Sequence, residues 1–70
     1  MNQSSREIIA INVKKLRKSK NLTKENLSLV LGFDNSYISK LEKANVNITI
    51  DKLDRIADFF KVNTYKILKL

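Results

Sequence analysis

The chain has 70 residues, a net charge of +7, 43% hydrophobic residues and a single glycine, with no proline, cysteine or histidine. Without cysteine or histidine there are no disulfides, thiolate metal sites, cysteine nucleophiles or histidine acid–base groups, so packing alone must hold the fold, and neither a metal nor a cofactor is expected. No apolar run approaches the roughly 18 residues of a membrane span, and the start MNQSSREIIA lacks the basic residues and long apolar stretch of a signal peptide, so a cytoplasmic location and no membrane partner are expected.

The length makes one domain, residues 1–70, whose small core has to be efficient. Its charge is uneven. Residues 1–33 carry seven basic and two acidic side chains, residues 34–50 balance, and residues 51–70 carry an excess of two positive charges. Lys14, Lys15, Arg17, Lys18, Lys20 and Lys24 cluster in the first third, either as a solubilising surface or as one that faces phosphates.

After a polar start at Met1 to Ser5, with Ser4 or Ser5 available as a cap, the spacing of Ile9, Val13 and Leu16 predicts a first helix from about Arg6 to Ser19. Ile8 and Ile11 widen its apolar face, as core or as a surface covered by a second subunit. Asn21 is expected to stop this helix in a left-handed conformation, and Leu22 to turn back inward. Thr23 then caps a second helix, Lys24 to about Leu31, with Leu27, Val30 and Leu31 on one face.

Gly32 marks a sharp corner and Phe33 plugs it. A third helix follows from about Asn35 to Lys43, capped by Asp34 or Asn35, with Ile38 and Leu41 inward and Asn35, Ser36, Tyr37 and Lys40 outward. Two short helices around one glycine make a helix-turn-helix, whose second helix can enter a DNA major groove. Asparagine, serine and lysine are side chains that read base edges, although Asn35 and Ser36 could equally just begin a helix.

The loop ANVNI leads to Thr49, the expected cap of a fourth helix from about Ile50 to Phe60 with Ile50, Leu53, Ile56, Ala57 and Phe60 inward. Its other face, Asp51, Lys52, Asp54, Arg55 and Asp58, reads as solvated surface. The three carboxylates lack a nucleophile or ligand set to complete a catalytic site, so no enzyme is expected. Val62 re-enters the core and Asn63 caps a last short helix, in which Tyr65, Ile67, Leu68 and Leu70 supply more apolar surface than one face needs. The fold expected is an all-α, compact five-helix bundle.

At this level the chain resembles the Cro/repressor, or XRE, family of lambda-repressor-like DNA-binding domains over Ile9 to Leu68. The resemblance rests on the VKKLRKSKNLT approach, Leu27 with Leu31-Gly32-Phe33, YISKLEK, and the series Asn47, Thr49, Leu53 and Ile56. The run YISKLE…NITI is also similar to the controller proteins of restriction–modification systems. This resemblance implies base reading by Asn35, Ser36, Tyr37 and Lys40, and phosphate binding by Thr23, Lys24, Ser39, Lys43 and Asn47. It further implies an internal Arg17–Glu42 ion pair.

Ser28 stands where the family commonly has alanine, Asn21 and Ala44 where it has glycine, and Lys24 where it has glutamine. The function expected is a transcriptional regulator, associated with the nucleoid, that binds double-stranded DNA as a homodimer on a palindrome. Phe59, Tyr65, Ile67, Leu68 and Leu70, in residues 59–70, form the expected dimer surface. An antitoxin that represses its own operon, a protein-interaction module and an RNA-binding module are the alternatives; the lack of an aromatic platform counts against RNA.

Overall fold

The computed structural model describes residues 4–70, so the opening three residues of the expected domain lie outside it. Five helices follow in order: α1 (Ser5–Ser19), α2 (Lys24–Val30), α3 (Tyr37–Glu42), α4 (Ile50–Phe60) and α5 (Thr64–Ile67), with no strand among the described residues. Helix starts follow the side-chain chemistry. Ser4 and Glu7 form a reciprocal capping box on α1, with Glu7 N donating to Ser4 Oγ at 3.3 Å and Ser4 N donating to Glu7 Oε1 at 3.0 Å. Thr23 Oγ1 accepts from Asn26 N at 3.0 Å and Thr49 Oγ1 from Lys52 N at 3.1 Å. Asn63 stands at the start of α5 without a side-chain cap bond; its carbonyl accepts from Lys66 N instead.

Four of the helices end in one way. Asn21, Gly32, Ala44 and Lys61 have φ of 55°, 75°, 60° and 57°, and the next residue's N–H reaches back to the carbonyl five residues earlier. Leu22 bonds Arg17 at 3.2 Å, Phe33 bonds Ser28 at 2.8 Å, Asn45 bonds Lys40 at 3.0 Å and Val62 bonds Ala57 at 3.0 Å. This satisfies carbonyls that a helix end leaves without partners, and it folds Leu22, Phe33 and Val62 onto the core. Only one of the four left-handed positions is a glycine.

The core joins Ile9 and Val13 of α1, Leu27 and Leu31 around α2, Phe33, Ile38 and Leu41, Leu53, Ile56, Ala57 and Phe60 of α4, and Ile67 of α5. Three apolar residues depart from the sequence expectation. Val30 is 58% exposed, because the buried stripe of α2 is Leu27, Ser28 and Leu31, and Val30 projects roughly 100° away from its centre. Ile50 is 68% exposed: it shares the angular face of Leu53 but sits in the first turn of α4, beyond the element that covers the rest. Ile67 is 0% exposed and completes the core rather than the outer surface. Ile8 and Ile11 are half-buried.

A polar clasp fixes the end of the described chain. Asn12 Nδ2 donates to the carbonyls of Lys66, Ile67 and Lys69 at 3.3, 2.9 and 2.7 Å, tying α1 to the last helix. Carbonyls at the end of a four-residue helix have few other partners.

The corner at Gly32 depends on backbone conformation and not on space, since a Cβ there would meet only Arg55 Nη1, at 3.7 Å. Gly32→Val should therefore cost about 1–2 kcal/mol through its left-handed φ. Ala44→Gly should have the opposite sign, stabilising by a few tenths to about 1 kcal/mol once the unfolded-state entropy of glycine is subtracted. Urea denaturation of both variants checks the pair.

Candidate nucleic-acid interface

Helix α3 is held from behind by two polar contacts within the apolar core. The first is the Arg17–Glu42 ion pair, in which Arg17 Nε and Nη2 on α1 donate to Glu42 Oε2 and Oε1 on α3 at 2.7 and 3.1 Å. Arg17 Nη1 also donates to the Leu22 carbonyl at 2.8 Å. A planar guanidinium can bridge a carboxylate and a carbonyl in this way, whereas an ammonium lacks the fixed fork. The hydrogen bond to Glu42 raises the Arg17 pKa above its ordinary value, against the effect of burial. The ion pair removes Arg17 from the basic surface in which its lysine neighbours lie, and Lys14, Lys15, Lys18 and Lys20 are exposed.

The second contact is Ser28, which is fully buried. Its Oγ donates to the Lys24 carbonyl at 2.9 Å and accepts from Ile38 N at 3.1 Å. The third helix starts at Tyr37, two residues later than the sequence suggested, and neither Asp34 nor Asn35 caps it. Ser36 occupies the cap position but its side chain accepts from no amide of the helix, so the hydroxyl of the preceding helix supplies a partner to one of the orphan amides. An alanine at this position could not do so.

With α3 fixed, the turn Asp34–Ser36 sets Asn35 and Ser36 beside the start of α2. Lys24, Glu25, Asn35, Ser36 and Ser39 line one open groove of about 440 Å³. Two of the expected base readers and two of the expected phosphate ligands thus border the same concavity. Thr23 and Lys40 are exposed beside it in the chain. Glu25 was not anticipated as a groove residue; its spacing one position after Lys24 was the available signal.

Other expected residues lie elsewhere. Lys43 borders a separate hollow with Glu7, Ala10, Ile11, Glu42 and Ala44. Asn47 Oδ1 accepts from Arg6 Nη2, which brings the start of α1 to the loop after α3 and adds Arg6 to the residues of interest. Tyr37 does not point outward as expected. It is half-buried, its ring lies 4.8 Å from Phe33 at 60°, and its hydroxyl is enclosed without a partner. Burial pushes the Tyr37 pKa up.

Lys52 and Arg55 also correct the reading of the outer face of α4 as mere solvated surface. Lys52 Nζ stands 4.6 Å from the Tyr37 ring centroid and 5.7 Å from that of Phe33. Arg55 lies 5.5 Å from the Phe33 ring and donates from Nη1 to the Leu31 carbonyl at 3.1 Å. These cations close the corner over its aromatic plug. Of the residues expected at a dimer surface, Tyr65, Leu68 and Leu70 are exposed and Phe59 is half-buried, edge-on to Phe60. Leu68 and the exposed Ile50 line one shallow cleft with Ile9, Ile48 and Leu53.

Known proteins share this architecture. The model of the helix-turn-helix family HTH_3 matches residues 13–67. A hypothetical transcription factor of Neisseria meningitidis serogroup B (strain ATCC BAA-335 / MC58) is 29% identical over 66 residues, covering 94% of this chain. This chain spans only 62% of that protein's length. The control protein C.SmaI of Serratia marcescens is 32% identical over 63 residues, 90% of this chain and 75% of that one. The crystal structure of the restriction–modification controller protein C.Esp1396I, as a tetramer on its natural 35 base-pair operator, superimposes with a TM-score of 0.79 at 27% identity, covering 96% and 92% of the two chains. That of the hypothetical transcription factor NHTF from Neisseria reaches 0.89 at 29% identity, covering 94% and 76%.

Ser28→Ala tests the coupling of α2 to α3. Although alanine fits the space, it leaves the buried Ile38 amide without a partner, and a loss of about 1–2 kcal/mol is expected in chemical denaturation.

Proposed function

The chain belongs to the helix-turn-helix family HTH_3, and from that premise we propose that it is a sequence-specific transcriptional regulator, binding double-stranded DNA as a homodimer with α3 in the major groove. The observation that carries this reading is the groove shared by Lys24, Asn35, Ser36 and Ser39. It puts amide and hydroxyl groups suited to base edges within one concavity that also holds a cation and a hydroxyl suited to phosphate. Lys40 extends the base-reading row, whereas Tyr37, turned inward against Phe33 and covered by Lys52, is left out of it. Thr23 and Lys43 flank the row as backbone contacts, and Asn47 acts together with Arg6.

A net charge of +7 steers such a domain to DNA and gives binding a strong dependence on salt. The similarity to C.Esp1396I, a tetramer on its operator, supports the same assignment and the expectation of a palindromic site. Occupancy of the operator, rather than chemistry, is then the mode of action.

The two-fold contact is assigned to Leu68, Leu70, Tyr65 and Phe59, with Ile50 taking the place of the buried Ile67. One recognition helix covers few base pairs, and a second subunit doubles the contacts and reads a palindrome, with the two α3 helices about 34 Å apart.

Selection of bound sites from random duplexes followed by titration at several salt concentrations tests the reading. Asn35→Ala should weaken binding to the selected site by roughly 1–3 kcal/mol and leave binding to random DNA nearly unchanged; equal losses on both would remove Asn35 from base reading. Sedimentation at micromolar concentration tests the dimer. The wild-type chain should sediment at twice the monomer mass and Leu68→Lys should shift it toward monomer, whereas a monomeric wild type would overturn the assembly.

A further inference from the structure

The turn before α3 carries an acid bonded to a residue of the groove, whose own lining holds one other acid, Glu25. Asp34 is exposed, and its Oδ2 accepts from Ser36 Oγ at 3.0 Å. Its carboxylate has no counter-charge, since Arg17–Glu42 is the one ion pair among the described residues. Nor does Asp34 cap the helix that follows, because its bond is to the Ser36 hydroxyl. A cap at this place would have been the ordinary structural reason for an aspartate.

An ionised carboxylate can only accept, so the Ser36 proton is committed to Asp34. Ser36 Oγ then presents lone pairs alone to the groove it shares with Lys24 and Asn35. This differs from a free serine, which could donate to guanine or thymine as readily as it accepts. In the major groove guanine shows two acceptors, thymine an acceptor and a methyl group, adenine an acceptor beside its amine, and cytosine an amine donor only.

We propose that Ser36, held by Asp34, acts as an acceptor-only group that reads the exocyclic amine of a cytosine or an adenine in each half of the bound DNA site, an inference that rests on the DNA-binding reading above. Guanine or thymine at that position opposes lone pair to lone pair. The carboxylate also repels backbone phosphates, so it weakens binding in every register that does not offer Ser36 an amine.

Parallel selections from random duplexes with the wild-type chain, Asp34→Asn and Ser36→Ala decide it. The wild type should enrich cytosine or adenine at one position of each half-site by roughly tenfold over guanine and thymine. Both variants should lose that preference at the same position while the rest of the motif persists. A wild-type chain that enriches no sequence overturns the DNA-binding reading and this inference with it. A defined wild-type motif that Asp34→Asn leaves unchanged, or in which the two variants alter different positions, overturns this inference alone.

Discussion

Arg17 and Glu42 hold the first and third helices in one relative position, and the geometry of the groove follows from that constraint. Their bidentate contact is largely withdrawn from solvent, so removing one partner would leave an uncompensated charge. The third bond of Arg17, to the Leu22 carbonyl, reaches the loop that opens α2. One side chain thus registers three segments, and Ser28 adds the fourth link by joining α2 to the start of α3. A reading helix of six residues is too short to be stable by itself, so its position has to come from such contacts.

The helix ends explain how so short a chain closes around its core without proline and with a single glycine. Left-handed residues at four corners satisfy terminal carbonyls and direct the next side chain inward at three of them. Ala44 and Lys61 adopt this conformation at some conformational cost, which the returning hydrogen bonds and the burial of Val62 offset. At the Gly32 corner the Phe33 and Tyr37 rings are covered by Lys52 and Arg55, so cations of α4 brace the junction between the two helices of the motif.

The groove mixes charge types, and this shapes the functional reading. Lysines outside the core provide attraction to any duplex, which is insensitive to sequence. Asn35, and Ser36 with its proton committed to Asp34, supply directional chemistry next to that attraction. In the proposed reading, affinity and selectivity reside in neighbouring but separable side chains. The exposed apolar residues Ile50 and Leu68 border a different cleft, so the proposed two-fold contact there would leave the groove free.

The chain's own local pattern determined the number of helices, the caps at Thr23 and Thr49, the first cap as Ser4 or Ser5, the left-handed Asn21, the corner at Gly32 and most of the core, because each depends on residues within one turn of each other. Even the Arg17–Glu42 pair was legible, through family resemblance rather than spacing. Tertiary structure alone decided which apolar residues stay wet. Val30 and Ile50 match a helical stripe in sequence, but burial depends on whether another element lies opposite, and periodicity along one helix carries no information about that. The same holds for Ile67, drawn into the core by the packing of α5, and for Tyr37, turned inward against Phe33. The hydrogen-bonding state of Ser36, the link from Ser28 to Ile38 and the clasp from Asn12 to the last carbonyls each require atoms distant in sequence, or a particular turn, to come within about 3 Å. No local pattern encodes those distances, since they are set only when all five helices pack together.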